Sequence, residues 1–353
     1  MPTANAKTNI LITGGTGYIG GSVLSRFLDR PDFGHLNITA LVRSPEKAEK
    51  VKTLGISVVV GSHKDDELVE KLAAEADVVI AMADADDLDA ANAILRGLEK
   101  RYHRNDGDGK RPILIHTSGT GVLADDARGM YASTKIYDDL NPDDIDSLPP
   151  TQLHRPVDMA VIDADKKGYV RTYIVAPSTI YGFAKSRLVD IGVQNPYSIQ
   201  IPVLVDASLD RRQGGMVGEG KNLWPNVSNS DVADLFHVVY DNARNNPGMG
   251  HGSEGFFFGE NGEHSLYQLG KAIAENLVVI GRGVSPEPTP FTKEELDKYF
   301  QGSTYMGSNA RCRANHSRLA GWKPKNTKAD MFAGIPDEIA VGMAGKRGPA
   351  KMH

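Results

Sequence analysis

The segment Thr13 to Gly20, TGGTGYIG, constrains this chain more than any other. It follows a short apolar run, Asn9 to Thr13 (NILIT), closed by glycines as a buried parallel strand would be. After it, Gly20 to Leu28 carries Val23, Leu24, Phe27 and Leu28 at helical spacing. Gly14, Gly17 and Gly20 therefore sit between a strand and a helix. The first glycine permits a tight turn, the second lets backbone approach a pyrophosphate, and the third lets the helix pack closely on the strand. The helix start then offers unpaired N–H groups to an anion. This context makes Gly14, Thr16, Gly17, Tyr18, Ile19 and Gly20 the candidate dinucleotide contacts.

Strands and helices continue to alternate. Asn37 to Val42, Ile56 to Val60, Asp77 to Met82, Pro112 to His116 and Val170 to Ala176 read as strands two to six. Between them, Ser44-Pro45-Glu46 opens a helix with an N-cap serine, a first-position proline and an early acid. Asp65 to Ala74, Asp87 to Arg101 and Met159 to Lys167 supply further helices. Such alternation means an α/β fold, a doubly wound parallel Rossmann sheet covered on both faces, with a smaller C-terminal substrate-binding region. The expected division is residues 1–184 for the dinucleotide domain, with 119–152 an inserted loop and candidate lid. Residues 185–335 form mainly the substrate region, with some segments returning to the first domain, and 336–353 a tail.

At 353 residues, the chain is long enough for about two domains. Its net charge of −5 leaves no basic surplus for phosphate backbones, so no nucleic-acid partner is expected. The single cysteine, Cys312, excludes an intrachain disulfide and a cysteine-based zinc site. No apolar run approaches the ~20 residues a bilayer crossing needs. Met1 to Asn9 is polar, without a signal-peptide pattern. A cytoplasmic protein without a membrane partner is the expectation. The ten histidines show no metal-binding spacing, and Asp84 to Asp89 reads as a solvated helix start, so no metal is expected.

TGGTGYIG resembles the extended and atypical short-chain dehydrogenase/reductase superfamily, which includes nucleotide-sugar epimerases and dehydratases. Leu114 to Gly119 (LIHTSG) is similar to the family's fifth strand and active-site serine or threonine. Ile174 to Gly182 (IVAPSTIYG) is similar to its sixth strand and following segment, with Ala176 where arginine is common. Gly218 to Asp234 and Leu319 to Pro324 (LAGWKP) resemble two later family segments. The resemblance implies a bound NAD(P), with Ala81, Ala83, Thr117 and Pro177 as further contacts. It also admits a homodimer, since many relatives pair through sheet-covering helices.

The end of the second strand bears on which cofactor binds. An acid there holds the ribose of NAD, whereas an arginine accommodates the extra phosphate of NADP. Here the sequence is Leu41-Val42-Arg43-Ser44, with no acid before Glu46. Arg43 offers a planar fork and Ser44 a further donor, so NADP(H) is expected over NAD(H).

The resemblance also implies a Ser/Thr–Tyr–Lys catalytic set. Ser118, or Thr117 beside it, fits the first role. The tyrosine and lysine belong on the helix before the sixth strand, where a spacing of four puts both on one face. The one literal match, Tyr131 and Lys135, lies 46 residues before Pro177. The intervening Asp138 to Pro150 (DDLNPDDIDSLPP) cannot continue a helix. Counting back from the sixth strand lands instead near His154-Arg155-Pro156-Val157-Asp158. Three readings stand open. Tyr131 and Lys135 work from a loop folded over the site; or His154 acts instead, with Asp158 one turn on to orient it; or no proton-transfer pair exists.

Tyr181 and Trp224 are candidate walls of the substrate pocket. The reading that follows is an NADP(H)-dependent oxidoreductase acting on a carbonyl or alcohol of a small molecule. Its rivals are a nucleotide-sugar epimerase or dehydratase with retained NAD(P), and a non-catalytic NADPH-binding regulator.

Overall fold

The computed structural model describes residues 7–104 and 110–347. Its first half is built from β1 (Thr8–Thr13), α1 (Tyr18–Leu28), β2 (Leu36–Val42), α2 (Pro45–Lys52), β3 (Ser57–Val60), α3 (Asp66–Ala73), β4 (Val78–Ala81), α4 (Leu88–Arg104) and β5 (Ile113–Thr117). After the insert come α5 (Arg155–Lys166) and β6 (Arg171–Pro177). The local signals account for these bounds. Ser44 accepts from the Lys47 N–H at 3.2 Å and Pro45 takes the first position of α2. Asp65 caps α3 through the Leu68 N–H at 3.1 Å.

A seventh strand, β7 (Phe256–Gly259), comes from the C-terminal half and pairs with β6 in parallel. The sheet order is β7-β6-β5-β4-β1-β2-β3, with every pair parallel. The order reverses between β1 and β4, which opens a crevice at the carboxyl ends of those two strands. Phe256, Phe257 and Phe258 are all buried, so this triplet is sheet core. On one face α1 packs against α7 (Asn229–Asn245); Phe27 meets Tyr240 edge-on at 4.9 Å. Burying a side chain such as Phe27 or Leu24 contributes about 1.5–3 kcal/mol each.

A second core joins α6 (Gln200–Arg211), α8 (Leu266–Val279) and α9 (Ile335–Met343) around Leu204, Ile273 and Ile335. The expected tail from 336 is corrected here. Residues 335–343 are helical, and Ile335 and Ile339 are buried in this core. Pro336, at the second helical position, is compatible with that start. Residues 348–353 of the expected tail lie outside those described.

The insert 119–152 holds one short 3-10 turn, Thr120–Leu123, and one turn of helix, Pro142–Asp146. It is tied to the C-terminal segment by a parallel pairing of Tyr137–Asp138 with Cys312–Arg313 and by hydrogen bonds that include those of the half-buried Asp125 and the buried Asp139. Asp125 accepts from the Asn309 backbone N–H at 2.7 Å and side-chain amide at 3.0 Å. Asp139 accepts from the N–H groups of Phe258, His316 and Ser317 and from the Ser317 hydroxyl. Burial pushes its carboxyl up to about 6, against the pull of those donors. No described helix is long and apolar enough to cross a membrane.

Candidate active site

The glycine loop has the geometry a dinucleotide needs. Gly14 has φ +73°, and a Cβ there would stand 2.4 Å from the Met82 carbonyl oxygen. A Cβ on Gly20 would come within 2.2 Å of the Gly14 oxygen. These two positions admit only glycine without backbone movement, and they bring the β1 and β4 loops together. Gly17 caps α1 without a side chain, and no acid lies in the first turn. The first N–H groups of α1 are thus open to an anion. Ala81 ends β4, Ala83 follows it exposed, and Thr117 and Pro177 end β5 and β6. The Thr117 hydroxyl is buried without a partner among the described residues. This cradle, with an orphaned hydroxyl at the next strand end, fits a nicotinamide dinucleotide.

Arg43 leaves β2 exposed, with no ion pair among the described residues. Ser44 spends its oxygen lone pair on the α2 cap, leaving its hydroxyl hydrogen to donate. Tyr18 does not turn into the loop. Its hydroxyl donates to the Gly182 carbonyl, and burial, then Glu338 and Tyr181, raise it well above the ordinary phenol range. Thr16 contributes its carbonyl to the Asn195 N–H at 3.1 Å, and Ile19 is half-buried against the core.

At the end of β5, Ser118 donates to Asp158 at 3.1 Å. Asp158 is fully buried, and its second oxygen has no partner among the described residues. Burial pushes its carboxyl up to about 7, opposed by the Ser118 hydrogen bond and by His154 and Arg155. His154 caps α5 in the left-handed region at φ +67°, unusual for a residue with a Cβ. That conformation lays its ring on the insert backbone: a Cβ on Gly119 would meet Nε2 at 2.9 Å, and one on Gly121 would meet it at 3.2 Å. The same Gly121 position would meet the Tyr305 hydroxyl at 2.5 Å, so Tyr305 and His154 flank one stretch of backbone. Burial, then Asp86, raises the Tyr305 phenol.

The partner of His154 differs from the expected one. Its Nδ1 lies 2.8 Å from Asp86 Oδ1, on the loop between β4 and α4. That hydrogen bond holds the Asp86 carboxyl below the usual range. Asp158, expected to orient the imidazole, serves Ser118 instead. Nearby His116 is pushed down to about 4 by burial, so its imidazole is neutral at pH 7.

Tyr131 and Lys135 do not form a helical pair. Both lie in irregular chain, and the Tyr131 ring is half exposed. The Lys135 ammonium is bound to Asp144 at 2.6 Å and lies over the Tyr137 ring at 4.9 Å. Prolines 142, 149 and 150 stop any helix from joining this segment to α5. Asp86, His116 and Tyr305 were missed by the sequence reading. No local pattern marks them, because each reaches His154 from a different part of the chain.

Tyr181 donates to the Thr327 carbonyl at 2.7 Å, and Trp224 donates to the Ser308 carbonyl at 2.6 Å. Trp224 also packs edge-on against Tyr305 at 5.5 Å. Tyr181 borders a cavity of about 920 Å³ between α1, α9 and the segment 182–190. Neither Ser118 nor His154 lines that cavity.

Residues 6–98 match the NmrA-like family. The chain is 30% identical over 336 residues to the oxidase ucsJ of an Acremonium species, covering 89% of this chain and 92% of that one. Among solved structures it resembles the UDP-glucose 4-epimerase of Thermotoga maritima, at TM-score 0.64 and 15% identity, covering 96% of this chain and 100% of the other. It also resembles the dTDP-glucose 4,6-dehydratase of Bacillus anthracis, solved with NAD, at TM-score 0.62 and 17% identity, covering 96% and 97%.

Proposed function

Since the chain belongs to the extended and atypical short-chain dehydrogenase/reductase superfamily, we propose that it is an NADP(H)-dependent oxidoreductase acting on a carbonyl or alcohol of a small molecule. The observation that carries this reading is the His154–Asp86 pair, whose Nε2 lies against the Gly119 and Gly121 backbone just after Ser118. The dinucleotide, when bound, supplies or accepts the hydride. Everything else falls to the chain. Asp86 accepts a hydrogen bond from Nδ1–H and so favours the tautomer in which Nε2 is free to take or return a proton. Ser118 gives its hydroxyl hydrogen to Asp158, which leaves its oxygen lone pairs to accept from a substrate hydroxyl. Gly14, Gly17 and Gly20 let the backbone close on the pyrophosphate, and Arg43 and Ser44 favour the phosphate that distinguishes NADP. The half-buried Tyr305, beside the imidazole, limits water at that wall.

The relative named as an oxidase supports an oxidoreductase over a sugar epimerase. The test is an NADPH-binding titration followed by a panel of aldehydes and ketones, read as NADPH consumption. Turnover that falls on His154→Ala while NADPH affinity holds supports the proposal. NADPH binding with no turnover across the panel favours a regulatory protein, and NAD(H) that survives purification favours the epimerase-like reading.

A further inference from the structure

We propose that His63, Asp84 and Asp87 form a binding site for a divalent transition-metal cation at the carboxyl ends of β3 and β4. His63 follows β3 by three residues, and the two acids lie between β4 and α4. The imidazole Nε2 stands 4.0 Å from Asp84 Oδ2 and 3.6 Å from Asp87 Oδ2. All three ligand atoms lie within 4.8 Å of one another. These separations are too long for hydrogen bonds. They suit donors on one cation, where bonds of ~2.0–2.2 Å set neighbouring donors about 3–4 Å apart.

The outer shell is already in place. Asp84 Oδ1 accepts from the Asp86 N–H at 3.0 Å, and Asp87 Oδ1 accepts from the Ala90 N–H at 3.0 Å. Each carboxylate is therefore held by one oxygen and turns the other toward His63. The His63 Nε2 atom is buried and has no hydrogen-bond partner among the described residues. A buried ring nitrogen without a partner is costly unless something occupies the space before it. Backbone hydrogen bonds to ligating carboxylates fix their orientation, as second-shell contacts do in metal sites.

The donor set defines the ion. One imidazole with two carboxylates suits zinc, iron(II) or manganese better than magnesium or calcium, which prefer oxygen alone. Three protein donors leave a coordination position for water or an exogenous ligand. The sequence spacing gives no hint of this site, because His63 arrives from a different strand. The same loop carries Asp86, the partner of His154, so an ion here stiffens the backbone that positions the imidazole.

The experiment is calorimetric titration of chelator-treated, dialysed full-length protein with Zn²⁺, with Mg²⁺ as control. The variants are His63→Ala and Asp87→Asn; the second keeps the cap to Ala90 and removes only the ligating oxygen. One equivalent of Zn²⁺ should bind, at least about 100-fold more tightly than Mg²⁺, and either variant should weaken it by about 100-fold or more. No stoichiometric binding, or binding unchanged in both variants, overturns the site. Should a variant fail to fold, wild-type protein with labelled histidine decides: Mn²⁺ must broaden the His63 resonances first, and broadening that spares His63 overturns the proposal.

Discussion

His154 and Asp86 meet at 2.8 Å although 68 residues separate them in the chain. The contact joins the loop after β4 to the N-cap residue of α5. It requires His154 to hold φ +67°, so the left-handed backbone and the ion-pairing geometry come together. If this pair moves the proton, His154→Ala should lower turnover by about 100- to 10,000-fold, and Asp86→Asn should cause a smaller loss of turnover. NADPH affinity should stay within about 3-fold in both, measured by fluorescence titration. Loss of affinity in parallel with turnover would show a structural defect instead.

Tyr131→Phe and Lys135→Met should leave turnover within about 2-fold of wild type, because neither group reaches a helical pairing position. Steady-state rates check this. A loss of about 100-fold in Tyr131→Phe would restore the loop tyrosine as the acid.

If Arg43 holds the extra phosphate as proposed, Arg43→Ala should weaken NADPH by roughly 10-fold or more while changing NADH little. Paired titrations with both cofactors measure it. Equal losses for the two would remove Arg43 from cofactor discrimination.

Asp158 gives a pH-dependent stability with a definite sign. Its folded carboxyl titrates near 7, raised by burial above the ordinary value of 3.8. Between those values the folded state binds more protons than the unfolded state, so this group's contribution falls as pH rises and levels off above pH 7. Asp158→Asn should flatten that slope, and denaturant unfolding across pH 4–8 reads the difference. The gain over wild type at pH 8 should be on the order of 1–3 kcal/mol, reduced by the changed bond to Ser118.

Gly14→Ala should destabilise the fold by about 1–3 kcal/mol and abolish measurable dinucleotide binding, because a side chain at φ +73° is strained and meets the Met82 oxygen. Thermal unfolding with and without NADPH reports both effects. A variant that still gains stability from NADPH would mean that the loop can shift to admit the methyl.

Much of the architecture is legible locally. The turn at Gly14 to Gly20, the cap at Ser44 and the apolar runs of β1, β2, β4, β5 and β6 are short-range patterns, and short-range sterics set them. The helix at Ile335–Met343 is different: glycine- and lysine-rich surroundings hide it, and only burial of Ile335 and Ile339 beside α6 and α8 makes it form.

The sequence by itself determined the turn and open helix start of the glycine loop, because φ at Gly14, room at Gly20 and open N–H groups at the start of α1 fall on neighbouring residues, whereas the close approach of Gly14 to Met82 comes from the fold. It also placed Ser118 at a strand end and His154 at a helix start. Only the tertiary structure decided which groups those residues meet. Asp86 reaches His154, Asp158 turns to Ser118, and Tyr305 arrives from the far C-terminal region. The physical reason is that a hydrogen bond depends on atoms a few ångströms apart in space, and spacing along the chain carries no record of contacts made across the sheet.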